Sequence, residues 1–301
     1  MSRTIDSILV PTDGSDGARI GARRGIDLAA RTDADFHTLS VVNARDIEPS
    51  LSELGSEDGI DREQLLEEEA EGTVDETAEL ARSHLSGRIK TAVERGIPSQ
   101  NITAYADRHD IDLIVMGTHG RSGLQRALLG SVAEKTLRTA SVPIVAVPPS
   151  ADLDELGGET YDDVLLPTDG SEGAEVAIDW GVTLADVYDT AVHTIYSVDI
   201  GRFESIEAMA DIYDALEETG RNALETVRSR AREADLTVTG HIASGPAAGA
   251  ILSYTEEHDV DLIVMGTHGR TGVERYLIGS VTETVVRSAD VPVCCVPMEE
   301  M

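Results

Sequence analysis

Ile111-Asp112-Leu113-Ile114-Val115-Met116-Gly117-Thr118-His119-Gly120-Arg121 returns 149 residues further on as Val260-Asp261-Leu262-Ile263-Val264-Met265-Gly266-Thr267-His268-Gly269-Arg270. Each copy reads as a short apolar run, a glycine, two residues and a second glycine. An apolar run of that length closed by glycine predicts a buried strand passing into a loop. Two further landmarks repeat around it. Val10-Pro11-Thr12-Asp13-Gly14-Ser15 recurs as Leu166-Pro167-Thr168-Asp169-Gly170-Ser171, at an offset of 156. Leu129-Gly130-Ser131-Val132 recurs as Ile278-Gly279-Ser280-Val281, again at 149. The 301 residues therefore hold two copies of one unit, each near the ~150 residues of an ordinary domain. A period this long marks duplication and fusion, because solenoid repeats run to only ~20–50 residues. The change of offset gives the first copy seven extra residues, expected in the acidic stretch from Asn43 to Asp61 with its Pro49, Gly55 and Gly59. The expected division is a first domain over residues 1–149, a linker over 150–160 and a second domain over 161–301. Pro148-Pro149 and Gly157-Gly158 act as breakers around that linker.

Within each copy the apolar periods alternate. In the first, strands are expected at Ile5–Val10, Phe36–Val42, Ile89–Val93, Leu113–Met116 and Pro143–Val147. Helices are expected at Ala18–Ala30, Arg62–Leu85, Ser99–Arg108 and Ser131–Thr139. The second copy repeats the series: Asp163–Leu166, Ala174–Val187, Ala191–Ser197, a helix from about Glu207 to Ala234, Thr237–His241, Ala247–Glu257, Leu262–Met265, Val281–Arg287 and Val291–Val296. Apolar strands alternating with helices predict an α/β fold in which each copy is a doubly wound, five-stranded parallel sheet with helices on both faces. With aromatics at 3%, the cores must be built from Val, Ile, Leu and Ala, which suits such strands.

The formal net charge is −32, from 56 acidic and 24 basic residues, and Lys90 and Lys135 are the only lysines. A surface of that sign repels nucleic acid and anionic membranes, so neither is expected as a partner. The acids are spread along the chain and do not form one tail, which favours adaptation to a salt-rich cytosol over an interaction tail. Cys294 and Cys295 are adjacent on a strand-like run and would point to opposite faces, so they read as small core residues and not as a disulfide. No long apolar run and no basic-then-apolar leader is present in the sequence, and a soluble cytoplasmic protein is expected.

The chemistry sits in the glycines. Gly117 and Gly120 are followed, nine residues later, by Gly130-Ser131; Gly266 and Gly269 are followed at the same distance by Gly279-Ser280. The first glycine lies at the carboxyl end of a strand, the edge at which open α/β sheets bind ligands. Glycines let a backbone approach a phosphate and turn its N–H groups toward it. Gly130-Ser131 opens a helix whose N–H groups and dipole favour an anion, and the serine hydroxyl either caps that helix or donates to phosphate. Two anion-binding elements facing one ligand fit a polyphosphate. Asp13 and Asp169 follow the first strand of each copy. With strand order 3-2-1-4-5, strands one and four flank one crevice, where a carboxylate can accept from ribose hydroxyls; the alternative is an ordinary Asp-Gly-Ser turn. Arg121 and Arg270 are placed to pair with phosphate oxygens, or are solvated loop residues. A bound Mg²⁺ would further offset charge repulsion. For His119 and His268, loop packing or a backbone bond is favoured over metal ligation, because no second ligand stands at metal spacing.

The three landmarks together, at matched spacing and present twice, resemble the universal stress protein (UspA) family in its nucleotide-binding branch. The resemblance spans nearly the whole chain apart from the linker and the Asn43–Asp61 region. It implies adenine nucleotide as ligand, ATP foremost or AMP or ADP, with one site per domain. It also implies a 3-2-1-4-5 sheet and pairing of two domains through their last strands. In a tandem chain that pairing can be internal, between Pro143–Val147 and Val291–Val296, and a homodimer is the other arrangement it allows. By the resemblance, Val41 occupies the slot whose backbone holds adenine; the second copy has Ser197 there. The candidate ligand-binding set is Pro11, Thr12, Asp13, Val41, Met116, Gly117, Gly120, Arg121, Gly130, Ser131 and Val132. In the second copy it is Pro167, Thr168, Asp169, Ser197, Met265, Gly266, Gly269, Arg270, Gly279, Ser280 and Val281. No Walker lysine and no nucleophile–base pair is legible, and no catalytic or metal-ligating residue is assigned. A nucleotide-binding stress-response or signalling module is the leading reading. A slow ATPase, and a chaperone or partner-regulating scaffold with structural nucleotide, are the alternatives.

Overall fold

The computed structural model describes residues 3–44, 59–120, 129–151, 156, 161–199, 209–269 and 278–298. Arg121, Arg270, most of the Asn43–Asp61 stretch and most of the expected linker lie outside the described residues. The chain divides into two compact units, one of Ile5–Glu159 and one of Thr160–Met301 joined by Met1–Thr4. Arg3 belongs to that second unit through its N–H, which donates to the Thr183 hydroxyl at 3.2 Å, and through its guanidinium, 5.4 Å from the Trp180 ring.

The first unit runs β1 (Ser7–Pro11), α1 (Asp16–Thr32), β2 (Asp35–Asn43), α2 (Gly59–Arg82), β3 (Ile89–Gly96), α3 (Pro98–Arg108), β4 (Leu113–Gly117), α4 (Ser131–Thr139) and β5 (Ile144–Val147). All strand pairs are parallel, in the order β3-β2-β1-β4-β5. The second unit repeats this as β6 (Asp163–Pro167), α5 (Glu172–Tyr188), β7 (Ala191–Val198), α6 (Met209–Glu233), β8 (Val238–Ser244), α7 (Ala247–Glu257), β9 (Leu262–Gly266), α8 (Ser280–Ser288) and β10 (Val293–Val296). Its order is β8-β7-β6-β9-β10, again all parallel. The expected doubly wound α/β sheet is thus present in both units. The central strands are buried on both faces, Ile8, Leu9 and Val10 in one unit and Val164, Leu165 and Leu166 in the other. Cys294 and Cys295 are buried in β10, and burial pushes the Cys294 thiol up to about 12.

The same local devices recur at matching places. The Asp112 carboxylate accepts from the N–H groups of Asp6 and Ser7, both at 2.9 Å, tying the start of β4 to that of β1. Asp261 does this for Asp162 and Asp163. Ser15 and Ser171 cap α1 and α5 by accepting from the N–H groups of Ala18 and Ala174. Asp33 and Asp189 end those helices with φ of 55°, a left-handed conformation that Asp tolerates better than most residues.

The element bounds shift from the sequence reading by a few residues. β3 pairs with β2 as far as Gly96, three residues beyond the expected end, and α2 begins and ends three residues early. The buried positions Ala70, Val74, Thr77 and Ala81 of α2 match Gly220, Leu224, Val227 and Ala231 of α6, an offset of 150. The offset is 156 in the β1–β2 part of the unit and 149 from β3 onward. Six of the seven extra residues therefore fall between β2 and the buried face of α2, and one after it. Among the described residues no helix is long and apolar enough to cross a membrane.

Candidate functional site

The chain leaves β1 through Thr12, whose N–H still donates to the Leu39 carbonyl of β2 at 2.9 Å. Gly14 then takes φ of +77° and Gly170, in the other unit, +74°. This region is costly for any side chain. The turn it makes folds the Asp13 carboxylate back: Oδ1 accepts from the Ser15 N–H at 3.0 Å and the Ser15 hydroxyl at 2.5 Å. Asp169 accepts from the Ser171 N–H at 2.9 Å. The turn reading and the crevice reading of these aspartates are therefore compatible, since one carboxylate oxygen holds the turn and the other faces the next loop.

That next loop leaves β4. A methyl group on Gly117 would lie 2.1 Å from the Gly17 carbonyl oxygen, and one on Gly17 would lie 2.2 Å from the His119 carbonyl oxygen. These glycines let α1 and the loop touch backbone to backbone. Gly120 faces the other way: a methyl there would lie 2.7 Å from Asp13 Oδ2. Gly269 stands in the same relation to Asp169 Oδ2, also at 2.7 Å. The loop is closed by Gly130, whose N–H donates to the Thr118 carbonyl at 2.7 Å, as Gly279 does to Thr267 at 2.7 Å.

Of the two roles open to the serine at the start of the next helix, capping or donation to phosphate, the structure removes the capping one. Gly130 is that helix's N-cap and has no side-chain capping bond, and Ser131 is the first helical residue. Gly279 and Ser280 are arranged likewise. Ser131 cannot cap from inside the first turn, because a capping hydroxyl must precede the N–H groups it satisfies. Among the described residues the α4 amino end thus has no N-cap side-chain bond, in contrast to α1.

Between these elements lies a cleft of about 350 Å³. Pro11, Thr12, Asp13, Val41, Met116, Gly117, Gly120, Gly130, Ser131 and Val132 all line it. Every described member of the first candidate set is therefore in one place. Arg121, and Arg270 in the second set, fall outside the described residues. Pro167, Thr168, Asp169, Ser197, Met265, Gly266, Gly269, Gly279, Ser280 and Val281 hold the corresponding places in the second unit, by the same strand ends, turns and helix start. Ser197, the counterpart of Val41, gives its hydroxyl to the Gly245 carbonyl.

Sequence reasoning missed the outer walls. Ser40, Leu66, Glu69 and Ala70 close the cleft from β2 and α2, and Pro98 and Ile102 from α3. None belongs to a motif; the repeat of the β2 and α2 pattern in the second unit was the available signal. His119 also lines the cleft, with Nδ1 2.9 Å from the Thr118 hydroxyl, and His268 repeats this with Thr267 at 2.9 Å. Each ring thus meets the hydroxyl of the residue before it. Among the described residues no group of three or more His, Cys, Asp or Glu is placed to hold a metal ion. Asp13, Glu69 and His119 are the ionisable side chains on the described walls.

Comparison with known proteins agrees with this duplicated architecture. The model of the universal stress protein family matches twice, over residues 4–148 and 160–297. A universal stress protein of Methanocaldococcus jannaschii is 36% identical over 143 residues, covering 46% of this chain and 84% of that protein. One from Synechocystis is 25% identical over 303 residues, covering 95% of this chain and 98% of its own length. The crystal structure of a universal stress protein from Archaeoglobus fulgidus shares the fold with a TM-score of 0.72, at 24% identity, over 98% of this chain and all of that one. Two family matches, two copies of one sheet order and two copies of the Asp–glycine loop pairing place this chain in the universal stress protein family, as a tandem of two family domains.

Proposed function

We propose that the chain binds adenine nucleotide, ATP foremost, at the carboxyl edge of its sheets and serves as a nucleotide-dependent stress-response or signalling module. One observation carries this reading. Candidate residues from four separated segments, the ends of β1 and β2, the loop after β4 and the start of α4, line a single cleft of about 350 Å³, within the ~300–1,000 Å³ of small-molecule sites. Its two ends differ in chemistry. At one, the uncapped amino end of α4 and the glycine loop offer N–H groups to phosphates. At the other, Val41 and the apolar side chains Leu66, Ala70 and Ile102 form walls suited to a base. The Asp13 carboxylate lines the same cleft, against Gly120, where it can accept from ribose hydroxyls.

One contact supports the fit: a methyl group at Gly120 would meet the Asp13 carboxylate at 2.7 Å, so the glycine is what leaves that oxygen open to a ligand. Arg121 and Arg270 are assigned to phosphate charge, with Mg²⁺ as the accompanying cation, held by the phosphates and not by a protein ligand set. Intramolecular pairing of the domains and a homodimer, and a cytoplasmic setting, belong to the same proposal on the resemblance and composition.

The test is mass spectrometry of small molecules released from protein purified in high salt, with calorimetry of ATP and AMP binding. Bound adenine nucleotide is expected. Gly120→Val, which drives its side chain onto the Asp13 carboxylate, is expected to weaken ATP binding in the first domain at least tenfold while far-ultraviolet circular dichroism is retained. Protein that is purified empty and binds neither ATP nor AMP would overturn the proposal.

A further inference from the structure

The two candidate sites differ at one residue that alters their shape. β1 pairs Pro11 with Leu39, and β6 pairs Pro167 with Ile195. The next residues, Ser40 and Tyr196, therefore hold the same place in the two units. The buried faces of α2 and α6 likewise match Ala70 with Gly220 and Leu66 with Leu216. In the first unit Ser40, Leu66 and Ala70 are walls of the open cleft. In the second, the Tyr196 side chain is buried to 3% exposure and forms a cluster with Val198, Ala223 and Leu224. Tyr213, Leu216 and Ile242 pack against that cluster. A methyl group on Gly220 would lie 2.6 Å from the Tyr196 ring. The glycine has thus given up its side chain to admit the ring. An aromatic ring stands where the first unit keeps its base-side space, between the same two helix positions that line the cleft there.

Resting on the nucleotide reading above, we infer that Tyr196 is a built-in plug. The base end of the second site is filled by the protein's own side chain, and the chain binds a single adenine nucleotide, in its first domain. The glycine loop and helix start of the second domain remain, without room for the base beside them. Sequence motifs alone make both sites look alike, because the loop is repeated residue for residue and the plug lies outside every motif.

Calorimetry with ATP in multimolar KCl tests this, with circular dichroism confirming the fold of each protein. Wild-type protein is expected to take up one equivalent, and Gly120→Val to lose it. Tyr196→Ser is expected to gain a second equivalent. The reverse exchange, Ser40→Tyr with Ala70→Gly, rebuilds the ring and its glycine seat in the first domain and is expected to abolish the wild-type site. If Tyr196→Ser fails to fold, the reverse exchange decides. Two equivalents of similar affinity in the wild type, a folded Tyr196→Ser with no added binding, or a folded reverse exchange that still binds would each overturn the plug and leave the nucleotide reading standing. No binding by wild-type protein overturns both.

Discussion

Two glycines three residues apart in the sequence do different work. Gly117 has no space for a side chain because the Gly17 carbonyl oxygen would lie 2.1 Å from its methyl group. The obstacle is backbone of a packed helix and cannot swing away. In the second unit the matching distance, from Gly266 to the Gly173 carbonyl, is 2.8 Å. Overpacking of this kind costs ~1–3 kcal/mol, occasionally more. Gly117→Ala is therefore expected to lower stability by about 3 kcal/mol and Gly266→Ala by about 1 kcal/mol, read from urea unfolding midpoints at fixed high salt. Equal and negligible losses would mean that α1 does not sit against the β4 loop in solution. Gly120 is opposed by the movable end of the Asp13 side chain, so its substitution should spare stability and act on binding. The sequence made the glycine positions legible and their spacing readable as a ligand loop. It could not say that the first glycine of each pair is reserved for helix packing, because its partner lies a hundred residues away and shares no pattern with it.

At the scale of elements, the two kinds of helix start separate fold from function. The start of α1 is satisfied internally, with Ser15 capping it and Asp13 holding Ser15. The start of α4 has a glycine N-cap and no side-chain bond. Removing a serine cap costs ~1 kcal/mol. Ser15→Ala should show that loss by urea unfolding of the nucleotide-free protein. Ser131→Ala should change stability by less than about 0.5 kcal/mol, as a surface substitution does, and weaken ATP binding severalfold by calorimetry. A Ser131→Ala protein that unfolds as easily as Ser15→Ala would show that the serine has a structural duty after all. The elements themselves were legible because buried parallel strands and amphipathic helices leave strong periods. β3 was foreshortened at its end because its residues Glu94–Gly96 alternate between half-buried and exposed, so pairing with β2 and not burial extends it. The cleft walls from α2 and α3 were illegible for a related reason. Leu66, Ala70 and Ile102 satisfy the helix period equally well whether they face core or ligand, and only the fold decides which. Tyr196 is the same case: on a buried strand a tyrosine reads as core, and its effect on the site appears only when Gly220 is seen beneath it.

Over the whole molecule, charge is the property that duplication does not explain. With 56 acidic residues against 24 basic ones, carboxylates outnumber cations by more than two to one. Among the described residues the ion pairs are partly exposed and divide between single helical steps, such as Arg221–Glu217 and Arg138–Glu134, and pairs between elements, such as Arg88–Asp35 and Arg230–Asp179, each worth only ~0.2–1 kcal/mol. They are too few and too weak to offset mutual repulsion spread over the surface. Repulsion between exposed charges acts across ~10 Å at 0.1 M salt and across ~3 Å at 1 M. Adding salt therefore removes a term that opposes folding while leaving the buried, apolar sheets untouched. Thermal unfolding midpoints are expected to rise by roughly 10 °C or more between 0.1 and 2 M KCl, which at ~2–4 °C per kcal/mol corresponds to about 3 kcal/mol or more. The rise should flatten once the screening length falls below the spacing of the surface acids. Replacing a patch of exposed acids, Glu68, Glu71, Asp75 and Glu79 on α2, with glutamine should reproduce part of the gain at 0.1 M and reduce the gain from salt by the same amount. Full stability in dilute buffer, or a glutamine variant with an unchanged salt response, would show that repulsion among the acids does not set the stability of this protein.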